Sequence, residues 1–212
     1  MAHEIPNLNE FEGTVFLDQD DTLAPTAGGI EAIFAEVGDP TRLVSERQRQ
    51  RIQSQELAAA QGTLVVPPYD IRDHLGPNPS FELEGEPYNL SEEDIIAIAR
   101  RLREKNPDRL FPDARRSLGR LATRNLVPVI LSYGDDFTQR LKASLNGLDE
   151  YPVEVVDELK GDYLKKRAIG PYLLVDDRSK HLPKRGGVLY NPSGKATTYD
   201  GPTIRSHDEL WR

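Results

Sequence analysis

The stretch TVFLDQDDTLAPT, residues 14–26, consists of an apolar run followed at once by three aspartates. The run TVFL (14–17) is typical of a buried strand. Asp18, Asp20 and Asp21 come directly after it, and their carboxylates repel one another unless a cation or a basic side chain lies among them. The stretch therefore predicts a strand that ends where positive charge is required.

Composition limits the classes of protein to which the chain can belong. Its 212 residues suffice for one α/β domain or for a core domain with a smaller insertion. A net charge of −8 argues against a general binder of nucleic acid or anionic membranes, and the lack of cysteine excludes disulfides and thiolate sites. No signal-peptide pattern and no apolar run of about 18 residues occurs. We therefore expect no membrane span and a cytoplasmic protein.

The apolar runs predict a parallel sheet. Besides 14–17, they are VPVIL (127–131), PVEVV (152–156), YLLV (172–175) and the weaker GVLY (187–190). Most are continuous rather than alternating, as in strands that helices cover on both faces. Helical patterns at 112–124 and 135–146 separate several of the runs, and Gly147 is a suitable helix terminator. This alternation predicts a Rossmann-like, doubly wound parallel sheet.

Residues 26–108 interrupt the alternation and predict a mainly helical inserted domain. A polar helical stretch covers about 41–60, and an amphipathic helix follows a capping sequence that begins at Ser91. Between them lies the Pro/Gly-rich segment 67–87, which is not typical of a compact helical bundle. The predicted domains are thus a core of 1–25 and 109–212 and an insertion of 26–108.

Polar residues suited to one site follow the predicted strands. They are Asp18 and Asp20, Ser132 with Tyr133 and Gly134, Lys160, and the pair Asp176 and Asp177. In a parallel α/β sheet, ligands bind beyond the carboxyl ends of the strands. Carboxylates from two strand ends form a hard oxygen site that suits Mg²⁺.

These residues resemble the four motifs of the haloacid dehalogenase (HAD) superfamily. VFLDQDDTL, VILS, LKG and LLVDD occur in this order, each at the end of an apolar run. The resemblance covers roughly 11–24 and 109–190, about half of the chain, and leaves out the insertion. A single DxD motif is weak evidence, whereas four motifs in order are specific. The resemblance implies an Mg²⁺-dependent phosphatase with an inserted cap that closes over the site.

The resemblance also implies a role for each residue of the first two motifs. Asp18 would be the nucleophile that forms an aspartyl-phosphate, and Asp20 would be the general acid and base. Ser132, together with Tyr133 and Gly134, would bind the phosphorylated substrate. Members of the superfamily with dehalogenase or phosphonatase chemistry usually replace the second aspartate, so Asp20 favours phosphate esters.

The last two motifs would supply charge. Lys160 would neutralise Asp18 and the phosphate, and we favour it over Lys165 and Lys166, which would lie on the exposed side of a helix. Asp176 and Asp177 would hold Mg²⁺ together with Asp18 and the main-chain carbonyl of Asp20. Which of the two adjacent aspartates is the direct ligand stays open.

Three other interpretations share these residues. The same site could transfer the phosphoryl group to an acceptor other than water, as in a phosphomutase. The arginines of 100–120 would suit a nucleic-acid end phosphatase, which the net charge argues against. A binding module without catalysis would not require the complete set of site residues. The predicted partner is therefore a small phosphorylated substrate, with neither nucleic acid nor membrane involved; the oligomeric state is not predicted.

Overall fold

The computed structural model describes residues 4–26, 29–63, 66, 68–78, 88–124, 126, 128–167 and 170–212. Within the Pro/Gly-rich segment 67–87, residues 67 and 79–87 lie outside these residues. Their helices are α1 Gly29–Val37, α2 Pro40–Ala60, α3 Arg72–Leu75, α4 Glu92–Lys105, α5 Pro112–Thr123, α6 Asp136–Leu145 and α7 Lys160–Arg167. Their strands are β1 Thr14–Leu17, β2 Val129–Tyr133, β3 Val153–Val156, β4 Tyr172–Asp176, β5 Gly187–Tyr190 and β6 Thr203–Ile204. Short 3-10 helices cover Ser179–His181 and His207–Trp211.

The strands form one sheet in the order β3-β2-β1-β4-β5-β6. The pairs β1–β2, β1–β4, β4–β5 and β5–β6 are all parallel. The predicted α/β fold with a parallel sheet is therefore confirmed, including the weak run at 187–190. The sequence did not predict β6, because a strand of two residues has no detectable periodicity.

Helices cover the sheet as the continuous apolar runs predicted. Phe16 of β1 packs with Leu131, Leu174 and Leu164, the last of which lies on α7. Successive strand residues point to opposite faces, and Val15 and Leu17 are also buried. Both faces of the central strand are thus covered, which makes alternation with polar residues unnecessary.

The register of the sheet brings two acidic motifs side by side. Leu17 pairs with Val175, and the Asp18 amide donates to the Val175 carbonyl at 2.9 Å. Asp18 and Asp176 therefore end neighbouring strands at the same level. This proximity follows from strand pairing and not from sequence distance, since 158 positions separate the two residues.

By its contacts the chain divides into two compact units. The first is Met1–Pro25, Arg109–Ser132 and Glu150–Arg212; the second is Thr26–Asp108 and Tyr133–Asp149. The breaks near 25 and 108 fall where the sequence places the insertion. Helix α6, which the sequence analysis assigned to the core, belongs to the second unit by contacts. Leu141 and Leu145 explain this grouping, because both pack in the same apolar cluster as Ile33 and Phe34.

The second unit has a hydrophobic core of its own. Its buried residues come from five helices and one loop residue: Ile30, Ile33, Phe34, Leu43, Ile71, Leu75, Ile95, Ile98, Ala99, Leu141 and Leu145. The predicted cap of α4 is present, since Ser91 and Asp94 form a reciprocal capping box. Gly147 ends α6 with a φ of 73°, the left-handed conformation that glycine accepts at no steric cost. Helices α1 and α3 are short and were not predicted from the sequence.

No described helix has both the length and the apolar character that a membrane span requires.

Candidate active site

Asp18 is buried where β1 ends. Its carboxylate accepts hydrogen bonds from two side chains, the ammonium of Lys160 and the hydroxyl of Thr22, the latter at 3.2 Å. Only 6% of Asp18 is exposed. Both carboxylate oxygens are thus oriented by donors, which leaves the group little rotational freedom.

Lys160 begins α7 and lies between two carboxylates. Its Nζ donates to Asp18 and, at 2.7 Å, to Asp176 Oδ2, and the residue is 1% exposed. Lys165 and Lys166, on the same helix, are exposed and pair with Asp162 and Glu158. Of these three lysines, Lys160 is therefore the one that contacts Asp18, and its predicted role in the site stays a prediction.

Three carboxylates converge beside this lysine. Oxygens of Asp18, Asp176 and Asp177 all lie within 4.8 Å of one another. Asp176 Oδ1 accepts the amide of Arg178 at 2.7 Å, whereas Asp177 Oδ1 is buried and accepts no hydrogen bond from any described residue. A buried carboxylate oxygen without a donor, next to two others, is the chemistry that a divalent cation satisfies.

The charges of the site do not balance without a cation. Burial raises the pKa of Asp18 to about 8, and Asp176, Asp20 and Asp177 add to the rise against the opposing effect of Lys160. Burial and Asp176 raise the pKa of Asp177 to about 6. Burial disfavours the charged form of Lys160, but Asp176 and Asp18 outweigh it, and the pKa of the lysine is raised. The Lys160 ammonium and the Arg178 guanidinium, whose Nε lies 3.9 Å from Asp177 Oδ1, therefore compensate only part of the negative charge of the four aspartates.

The loop after Asp18 is a tight turn. The amides of Leu23 and Ala24 both donate to the Gln19 carbonyl, at 3.1 and 3.0 Å. Asp21 has a φ of 56°, a left-handed conformation that aspartate adopts more readily than most residues. Asp21 thus shapes the turn.

Thr22 connects the turn to both acidic motifs. Its hydroxyl donates to Asp18, and the Asp177 amide donates to the same hydroxyl at 3.0 Å. The carbonyl of Thr22 lies 2.9 Å from Nε2 of His207, a fully buried histidine of the second 3-10 helix. His207 was not predicted from the sequence, because an isolated histidine outside any motif gives no signal.

The remaining predicted residues are placed as follows. Asp20 lies in the turn, half-buried, and its charge contributes to the raised pKa of Asp18. Ser132 lies in β2 and is buried, and its hydroxyl has no hydrogen-bond partner among the described residues. Tyr133 and Gly134 belong by contacts to the second unit, where the Tyr133 hydroxyl donates to the Val66 carbonyl at 2.6 Å. Their predicted role in substrate binding stays a prediction.

Comparisons with known proteins give structural likeness only. No protein-family model matches the chain, and no curated protein matches it. Several solved structures match the chain in fold. YfnB from Bacillus subtilis, described as a HAD-hydrolase and bound to magnesium, is 16% identical, with 93% of this chain and 96% of that one covered and a TM-score of 0.54.

Two further structures differ in the activity that their descriptions give. A HAD phosphatase from Thermococcus onnurineus is 17% identical, with a TM-score of 0.52 and 94% of this chain and 96% of that chain covered. A 2-haloacid dehalogenase from Pseudomonas syringae pv. Tomato is also 17% identical, with the same coverage and a TM-score of 0.53. Since nearly the whole chain is covered, the likeness extends over the insertion. The chain therefore has the fold of the haloacid dehalogenase superfamily, the family that its four motifs resemble.

Proposed function

We propose that the protein is a phosphatase that hydrolyses a small phosphate monoester through an aspartyl-phosphate on Asp18, with Mg²⁺ as its cofactor. The observation that carries the proposal is the buried Asp18 carboxylate, oriented by Lys160 and Thr22 and adjacent to Asp176 and Asp177. Two kinds of hydrolase have this fold among the structural neighbours, so the choice between them depends on the residues of this chain.

Asp20 favours the phosphatase over the dehalogenase. A halide is a weak base and leaves carbon without being protonated, whereas the alkoxide that leaves a phosphate ester needs a proton. Asp20 follows the nucleophile by two positions, and its charge acts on Asp18. A carboxylic acid so close to the nucleophile has a function in ester cleavage that it lacks in halide displacement.

The residues of the first unit account for both halves of the reaction. Asp18 attacks phosphorus, and the new oxygen–phosphorus bond forms as the bond to the leaving alcohol breaks. Asp20 in its acid form gives its proton to the leaving oxygen. Asp20 as a carboxylate then accepts a proton from water, which attacks the aspartyl-phosphate, releases phosphate and regenerates Asp18. The Lys160 ammonium stabilises negative charge as it develops.

The carboxylates fit the proposed cofactor. Asp18, Asp176 and Asp177 offer three oxygens within 4.8 Å of one another, and Asp177 Oδ1 is a buried acceptor without a donor among the described residues. Oxygen ligands of this kind are those that Mg²⁺ prefers. When bound there, the ion would neutralise charge on Asp18 and on the phosphoryl group of the substrate.

Initial rates with p-nitrophenyl phosphate and Mg²⁺ test the proposal. Asp18→Asn should abolish turnover, because an amide does not form the aspartyl-phosphate. Asp21→Asn is the matched control: it makes the same chemical change three positions away, and asparagine also accepts the left-handed conformation. Wild-type rates in Asp18→Asn would contradict the mechanism.

Two product measurements separate the rival activities. Release of p-nitrophenol and free phosphate in equal amounts supports hydrolysis, whereas phosphate below p-nitrophenol indicates transfer to another acceptor. Chloride release from 2-chloropropionate, with no action on phosphate esters, would identify a dehalogenase instead.

A further inference from the structure

His207 is a buried titratable residue that the proposed mechanism does not use. Its Nε2 lies 2.9 Å from the carbonyl oxygen of Thr22. A carbonyl only accepts hydrogen bonds, so Nε2 carries the proton of the ring. Nδ1 is buried without a hydrogen-bond partner among the described residues, and burial lowers the pKa of the imidazole. His207 is thus a neutral donor in one defined tautomer.

Helix α5 and its surroundings hold the histidine in place. The backbone amide of His207 donates to Asp113 Oδ2 at 2.9 Å, and the ring packs on Tyr190 with centroids 4.7 Å apart. Four residues on, Trp211 Nε1 donates to the hydroxyl of Ser117 at 2.9 Å. The 3-10 helix His207–Trp211 is therefore attached to α5 at both ends, and the contacts at the His207 end, with Asp113 and Tyr190, leave the ring little freedom to move.

Thr22 receives this donor at the point where the two acidic motifs meet. Its hydroxyl donates to the nucleophile Asp18 and accepts the Asp177 amide. Thr22 is fully buried, and a buried carbonyl without a donor is costly, so a shift of the turn would be expected if the histidine donor were lost. Such a shift would move the hydroxyl away from Asp18.

We propose that His207 is a positioning residue, whose hydrogen bond to the Thr22 carbonyl fixes the turn after β1 and through Thr22 the orientation of Asp18. The catalytic consequence rests on the proposed phosphatase function; the structural part does not. The proposal gives the C-terminal segment a function that none of the four motifs contains.

Two isosteric variants isolate the hydrogen bond. His207→Gln keeps an N–H donor near the place of Nε2, and His207→Met has a similar size and shape without a donor. We expect kcat to fall on the order of ten-fold in His207→Met, with KM changed far less, and His207→Gln to recover most of the loss. Amide hydrogen exchange by NMR gives a second readout: exchange of the Asp177 amide should be faster in His207→Met than in wild type and slow again in His207→Gln.

Ser117→Ala is the control for mere loosening of the segment. It removes the hydrogen bond to Trp211 and leaves the contact with Thr22 in place. Unchanged kcat and unchanged Asp177 exchange in Ser117→Ala, beside losses in His207→Met, would support the proposal. Equal losses in both variants, or no loss in His207→Met, would overturn it.

Measurements on the wild-type protein test the proposal without any variant. Ring ¹⁵N chemical shifts of His207 should place the proton on Nε2, and a proton on Nδ1 would overturn the assignment. If wild type fails to hydrolyse any phosphate ester while the exchange pattern is as expected, the proposed function is wrong and the positioning contact stands.

Discussion

The two units bury charge in different settings. In the first, Asp18, Lys160 and Asp176 are nearly inaccessible and in direct contact, and the buried side chain of Gln19 has no hydrogen-bond partner among the described residues. The second also buries Glu46 and Lys142, but its core cluster is aliphatic and aromatic. Buried charges cost desolvation energy that their mutual attraction only partly returns. The first unit therefore gives up stability for the charges of the candidate site, whereas the core of the second serves stability.

The largest expected effect comes from removing the buried cation of the first unit. Lys160→Met leaves Asp18 and Asp176 adjacent without their shared ammonium, and it removes a charge that faces the transition state. We expect kcat to fall by about 10³-fold or more. Steady-state rates with p-nitrophenyl phosphate measure the loss.

A second buried lysine provides the control. Lys142, on α6 of the second unit, is 5% exposed and donates to the neutral amide of Gln139 at 3.3 Å. Lys142→Met makes the same substitution at similar burial and should leave kcat within about two-fold, as expected of a side chain outside the active site. Similar losses of kcat in both variants would show that any buried lysine matters for folding. The proposed difference between the buried charges of the two units would then be wrong.

The next effect concerns the proton that Asp20 supplies. Asp20→Asn should lower kcat by about 10²-fold or more with an alkyl phosphate, because the departing alkoxide then lacks its acid. The loss should be smaller with p-nitrophenyl phosphate, since p-nitrophenolate leaves without protonation. Parallel assays of the two substrates measure the difference. An equal loss with both would assign the effect to hydrolysis of the aspartyl-phosphate, the step that the two substrates share, and would contradict the role of Asp20 in protonating the leaving group.

The acidic motifs show how much of this site the sequence predicts. Asp18, Lys160 and Asp176 each follow an apolar run, and the rule that ligands bind at the carboxyl ends of parallel strands is enough to bring them together. The lysine was chosen because Lys165 and Lys166 fall on the exposed side of α7. Here, local pattern and tertiary position agree.

Other features are not visible in local pattern. The contact of His207 with Thr22 joins residues 185 positions apart and depends on the placement of a short 3-10 helix. Helix α6 has the amphipathic pattern of a core helix, yet Leu141 and Leu145 pack with the second unit. Periodicity shows that a face is buried and does not show which partner covers it.

A smaller effect is expected from the metal. Mg²⁺ at about 100 times its dissociation constant should stabilise the first unit by about 2.7 kcal/mol, because it binds carboxylates that are assembled only in the folded state. The protein has a single tryptophan, Trp211, which lies in the first unit, so denaturation followed by its fluorescence reports on this unit. EDTA should reverse the shift.

Two variants connect the shift to the carboxylate cluster. Asp177→Asn should reduce it, since one of the three carboxylate charges is lost. Asp136→Asn, which changes an exposed residue of the second unit, should not. A shift that survives Asp177→Asn unchanged would place the ion elsewhere.

The smallest expected effect is the pH dependence that a buried histidine gives to the stability of the second unit. Burial lowers the pKa of His74 to about 4, below its usual value near 6.5. Between these values the unfolded chain binds a proton that the folded chain does not, so stability is lost as pH falls through this window and is fully present above it. One such group contributes at most about 1.4 kcal/mol per pH unit. His74→Gln should reduce the slope of unfolding free energy against pH by up to this amount between about pH 6 and 4.5, measured by urea denaturation with far-ultraviolet circular dichroism.

His207 gives the internal comparison in the first unit. It is also buried with a lowered pKa, so the free energy of unfolding of the first unit should also fall as pH falls. Because Trp211 fluorescence reports on the first unit, His74→Gln should leave the slope measured by this signal as in wild type. An equal change in both signals would mean that the two units unfold together, and the contrast between their cores would then not appear in their unfolding.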